Sequence, residues 1–139
     1  MKAKERKFED LMVGQEASFE RTVTEQDVTQ FAQISGDYNP LHLDDEYAKT
    51  TEYQGTIVYG MFMAALVSRL VGMELPGKKA LLMKESLEFK KPVRVGDVLV
   101  VKGVLAHKSQ ASGLVEIAIE IRRADELLVA GSVHARVLK

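Results

Sequence analysis

The sequence has no cysteine, which removes disulfides, thiolate metal sites and cysteine nucleophiles together. That absence fits a cytoplasmic protein. There is no basic excess either: 19 Lys and Arg stand against 20 Asp and Glu, for a net charge of −1. The electrostatic footprint of a nucleic-acid binder is missing, so nucleic acid is not an expected partner. No apolar run approaches the roughly 20 residues that a membrane span needs; the longest, residues 61–67, is far shorter. The opening residues Met1-Lys2-Ala3-Lys4-Glu5-Arg6-Lys7 are charged with no apolar stretch behind them, so neither a secretory signal nor a membrane partner is expected. The three histidines, His42, His107 and His134, are scattered with no pair at ligand spacing. No metal and no cofactor is therefore expected. Ser68 lacks the Gly-x-Ser-x-Gly elbow of a nucleophilic serine. There is no internal repeat, linker or low-complexity tract.

What remains is a 139-residue chain, 46% hydrophobic and 28% charged, read as one globular domain over 1–139 with a core of its own. Residues 17–23 predict a short strand. Thr24 with Asp27 three residues on makes an approximate capping box. Val28, Phe31, Ala32 and Ser35 then follow at helical spacing, and Gly36 is the natural stop. Asp44 caps a second short helix with Asp45 and Glu46 in its first turn. Residues 59–73 predict a third helix with apolar residues on nearly all faces, hence a buried one, with Ser68 and Arg69 as polar exceptions. Residues 81–91 and 98–107 predict strands. Val115, Ile117, Ile119 and Ile121 alternate with polar neighbours, as do Val129, Val133, Ala135 and Val137. Ala111-Ser112-Gly113 and Ala124-Asp125-Glu126 read as hairpin turns. The class is α+β, with a curved antiparallel sheet as the natural wrapping for one buried helix.

The chemistry concentrates in residues 31–60. Ser35-Gly36-Asp37-Tyr38-Asn39-Pro40-Leu41-His42 places a carboxylate, an amide and an imidazole at i, i+2 and i+5. Gly36 and Pro40 argue for a structured turn rather than one regular element. An imidazole titrates near pH 6.5 and a carboxyl near 3.9, so Asp37 and His42 can hold a water between them and move its proton. Asn39 can fix a hydroxyl or a side chain without titrating. Gly60 stands at the mouth of the apolar helix. The first N–H groups of a helix have no internal acceptor, and Gly admits close approach, so Gly60 is the oxyanion candidate. Which of Asp37 and His42 is base and which is acid stays open. Taken alone, Asp-x-Asn-x-x-His could also be only an Asx turn.

Asp37-x-Asn39-Pro40-Leu41-His42-x-Asp44, Tyr47-Ala48-x-x-Thr51 and Ile57-Val58-x-Gly60-Met61 resemble the MaoC-like (R)-specific enoyl-CoA hydratases, which have the hot dog fold. The similarity continues through Leu75-Pro76-Gly77 and Ser86-Leu87-x-Phe89 to Pro92-Val93-x-Val95-Gly96-Asp97. The resemblance implies a sheet wrapped around a central helix, and Asp37 and His42 as holders of a catalytic water. It implies a supporting role for Asn39, an oxyanion N–H at Gly60 and an active-site position at Ser68. It also implies an acyl-CoA substrate, or the same arm on acyl carrier protein, and a homodimer. One residue departs from the family: Tyr59 stands where His is usual, and the departure is expected to spare the chemistry because the oxyanion N–H is backbone. A thioesterase on the same fold and a non-catalytic acyl-thioester binding module are the rival readings. Lys78, Lys79, Lys90, Lys91 and Arg94 form a basic rim that could meet coenzyme A phosphates.

Overall fold

The computed structural model describes residues 1–139. Five strands form one antiparallel sheet: β1 (Glu16–Thr22), β2 (Ala80–Phe89), β3 (Val98–Ser109), β4 (Leu114–Arg123) and β5 (Glu126–Val137), in the order β1-β3-β4-β5-β2. Shifts of register between Leu82 and Lys84, Leu105 and His107, and Ile121 and Arg122 break the ladders. Such bulges add local bend and twist. The curved sheet holds the helix α4 (Gly60–Arg69), which continues as a wide π turn over Leu70–Glu74. This is the α+β hot dog arrangement expected from the sequence.

The helix is seated by its apolar side. Met63, Val67 and Leu70 are at most 1% exposed and pack with Leu99, Val101, Ile117, Ile119 and Val133 of the sheet in one continuous core. Burying each such side chain contributes about 1.5–3 kcal/mol. Gly103 lets the helix come close, because a Cβ there would lie 2.5 Å from Leu70 Cδ2. The expectation of a helix buried on nearly all faces is corrected in part: Met61, Ala65 and Ser68, one stripe at helical spacing, are exposed. Arg69, the other polar exception, lies over the Phe19 ring at 4.0 Å.

The preceding segments follow their local signals. Thr24 caps α1 (Glu25–Ser35), and both halves of the capping box with Asp27 form. Asp27 is buried and paired with Arg21 of β1, which ties the helix to the sheet edge. Gly36 closes α1 in the left-handed conformation, φ +73°. The next stretch is more regular than the expected turn: α2 (Pro40–Leu43) is one helical turn capped by the Asn39 side chain. Pro40 starts it rather than blocking it, since its missing N–H is unneeded there. Asp44 caps α3 (Asp45–Lys49) as expected.

Gly131 tests how tightly the edge strand is held. A Cβ on it would fall onto the Ser86 backbone carbonyl in the β2–β5 ladder. Gly131→Ala should therefore destabilise the protein by about 2 kcal/mol or more, read as a drop in the urea midpoint.

Candidate active site

His42 occupies α2 with its ring in the body of the protein. Its Nδ1 lies 2.7 Å from the carbonyl oxygen of Ile57. A carbonyl only accepts, so Nδ1 carries the proton and donates, and Nε2 is left to exchange protons. The Ile57 N–H in turn donates to Leu41 O at 3.3 Å, so the segment before α4 grips α2 twice.

Tyr59 is the platform beneath this histidine. It is 2% exposed; its ring lies 4.0 Å from the His42 ring on one side and 4.7 Å from Phe31 of α1 on the other. Its hydroxyl donates to the backbone carbonyl of Asp37 at 2.5 Å. Burial, and then the negative charge of Asp37, push the Tyr59 phenol above its ordinary range, so it stays a neutral donor at physiological pH. Tyr59 thus links the two residues singled out as an acid–base pair. Its role was missed in the sequence, where it read as a harmless departure, because a contact across 22 residues leaves no local pattern.

His42 and Gly60 open on one cavity of about 250 Å³, lined also by Tyr53, Met63, Phe89 and Val93. Gly60 is the first residue of α4, and no side chain caps this helix start. Its missing Cβ matters: one built there would contact the Phe89 ring at 3.4 Å and narrow the cavity. The free N–H groups and the helix dipole put positive potential at this wall.

Asp37 and Asn39 are exposed and do not line this cavity. Asp37 Oδ1 accepts the Asn39 N–H at 3.0 Å, and Asn39 Oδ1 accepts the Leu41 N–H at 2.9 Å. This chain of side-chain-to-backbone bonds fixes the turn from the end of α1 to His42. Asn39 therefore shapes the support of His42 through the backbone. Ser68 is not brought to the site: it is exposed on the outer stripe of α4 and lines no part of the His42 cavity. Its exposure accounts for a polar residue in so apolar a helix. Of the basic rim, Lys90 and Lys91 border the cavity, Lys78 and Lys91 are paired with Glu5 and Glu126, and Arg94 is turned inward onto the carbonyls of Tyr53 and Thr56. There is no group of three or more His, Asp or Glu side chains able to hold a metal ion, and no helix is long and apolar enough to cross a membrane.

Residues 10–124 match the MaoC like domain. The chain belongs to this family. It is 44% identical over 92 residues to an (R)-specific enoyl-CoA hydratase of Rhodospirillum rubrum, a match covering 66% of this chain and 64% of that enzyme. Against a 3-hydroxybutyryl-CoA dehydratase of Methylorubrum extorquens it is 34% identical over 132 residues, covering 95% of this chain and 84% of the relative. Among solved structures, the (R)-hydratase of Aeromonas caviae involved in PHA biosynthesis superposes with a TM-score of 0.88 at 35% identity, covering 92% of this chain and 98% of that one. The MaoC-like relatives are thus hydratases and dehydratases on the same hot dog fold.

Glu85 of β2 is a further unusual group that the sequence did not mark. Its Oε1 is buried without a partner, in a second cavity of about 200 Å³ shared with Met61, Ala64, Leu87 and Phe89. Burial raises its pKa above the usual carboxylate value of 4.5. The folded state then binds this proton more tightly than the unfolded chain, so stability is highest below the unfolded pKa and falls as pH rises through the folded one. Glu85→Gln removes that dependence. The variant should match the parent near pH 4 and exceed it near pH 7, as measured by denaturation midpoints at the two pH values.

Proposed function

We propose that the protein catalyses the reversible hydration of trans-2-enoyl-CoA to (R)-3-hydroxyacyl-CoA. The observation that carries this reading is the pairing, on one cavity, of a histidine with a committed Nδ1–H and a helix start with uncommitted N–H groups. The reaction needs both. Water must give up a proton as its oxygen attacks C3, C2 must gain a proton, and the thioester oxygen carries negative charge between these events. Nε2 of His42 takes the water proton while Asp37 holds and orients the same water. The thioester oxygen rests on the Gly60 N–H. The proton held at Nε2 then passes to C2, so one H and one OH have been added and the histidine is again neutral. Asn39 supports the turn that carries both side chains, and Ser68 is assigned no step.

The (R) stereochemistry and the coenzyme A carrier rest on the similarity to the Rhodospirillum and Methylorubrum enzymes. An acyl carrier protein would present the same arm. The small cavity and the Methylorubrum similarity favour a short acyl group. The reading includes a homodimer. The edge strand β2 exposes Leu81, Leu82 and Met83, and α4 leaves Met61 open beside it; a second copy would cover both.

The test is steady-state turnover of crotonyl-, hexenoyl- and decenoyl-CoA with chiral analysis of the product. The expected result is loss of enoyl absorbance, fastest with crotonyl-CoA, giving the (R) product and no free thiol. Release of thiol would identify a thioesterase instead. Asp37→Ala and His42→Ala should each lower kcat by about 10²–10⁴-fold while circular dichroism stays native. In His42→Gln the histidine limb of the kcat/KM–pH profile should vanish. It should survive in His107→Gln and His134→Gln, because His134 faces Glu116 on the sheet and His107 lies at a β3 bulge. Loss of the limb in either of these, with the protein folded, places the site on the wrong histidine.

A further inference from the structure

Arg94 lies in the connection of residues 92–97 between β2 and β3, and its side chain lines no part of the His42 cavity. Its guanidinium reaches across to the segment before α4. Nη1 donates to Thr56 O at 3.0 Å and Nη2 to Tyr53 O at 2.6 Å. The arginine is itself anchored: its backbone N–H donates to Asp97 Oδ2 at 2.9 Å, and that oxygen also accepts from Arg123 at 2.6 Å. One residue earlier, Val93 O accepts the Val58 N–H at 2.7 Å. The carbonyl of Thr56 and the N–H of Val58 are therefore both held by the 92–97 connection. Between them is Ile57, whose carbonyl receives His42 Nδ1–H.

We propose that Arg94 is a positioning residue for His42: by clamping Tyr53 and Thr56 it fixes the Ile57 carbonyl, and that carbonyl fixes the tautomer and ring plane of the histidine. The inference rests on the reading of His42 as the proton carrier. A guanidinium suits the task. It is planar, permanently charged, and presents two donors in a fixed fork, whereas an ammonium offers a point charge on a flexible stem. The Ile57 carbonyl shares one planar peptide with the Val58 N–H that Val93 holds, so losing the clamp frees the preceding Thr56–Ile57 peptide and lets the Ile57–Val58 plane shift as a unit against His42. His42 then loses the acceptor that decides which nitrogen carries the proton. Small displacements of a catalytic group have large kinetic effects, of up to about 10²-fold for 1 Å.

The test compares the full-length protein with Arg94→Lys and Arg94→Met, using crotonyl-CoA kinetics and the ¹⁵N imidazole shifts of His42 by NMR. In the parent at neutral pH, His42 should be the Nδ1–H tautomer. Both variants should remain folded by circular dichroism, lower kcat by about 10-fold or more with a much smaller change in KM, and show a mixture of tautomers. Arg94→Lys should be the milder. Added guanidinium ion at millimolar concentration should restore part of kcat in Arg94→Ala. Unchanged kcat in Arg94→Met would overturn the proposal. So would a fall in kcat with the His42 tautomer unaltered, because that outcome is a general structural loss. Should Arg94→Met scramble the tautomer while His42→Gln keeps parental turnover, the positioning stands and the hydratase reading fails.

Discussion

The hydrogen bond between His42 Nδ1 and the Ile57 carbonyl is the constraint on which the rest of the site depends. An imidazole free to choose its tautomer would present either nitrogen to the cavity. Donating Nδ1–H to a backbone carbonyl removes that choice and leaves Nε2 as the only exchangeable position. The bond also joins two distant pieces of chain, the turn after α1 and the start of α4. It therefore sets the histidine and the helix N–H groups in fixed relation on one cavity wall.

Each partner in that bond is supported from below. Tyr59 lies between Phe31 and His42, so the histidine rests on the same aromatic layer that packs α1 against α4. Aromatic pairs of this kind add about 0.5–1.5 kcal/mol beyond their burial. Beneath them, α4 is held by the apolar core of the sheet, with Leu70 over Gly103. A helix so embedded gives its first N–H groups a rigid mounting. The open stripe of Met61, Ala65 and Ser68 shows that this packing is one-sided in a single chain.

Local signals were legible in the sequence wherever the physics is local. Thr24 with Asp27, Gly36, and Asp44 named the ends of their helices because caps act within three or four residues. Alternation named β4 and β5 because one face of each is wet. Pro40 misled in part: a proline inside a motif read as a breaker, whereas it begins a helical turn. Ser68 was singled out by the family resemblance, and in this chain it lies exposed on the outer stripe of α4. His42 and Gly60 could be singled out from residue type and spacing. Tyr59, Ile57 and Arg94 could not, because their contributions are long-range bonds to backbone atoms, which carry no residue-type signature. The family resemblance supplied the fold, and geometry supplied the tautomer.

The central claim of the proposed mechanism is that Asp37 and His42 act on one water as a unit. The most direct measurement is a double-mutant cycle on kcat/KM for crotonyl-CoA, combining Asp37→Ala with His42→Ala. Groups that act as a unit are grossly non-additive, so the double variant should be scarcely slower than the worse single variant. Losses that multiply, with all three variants folded, would show two independent contributions and contradict the shared water.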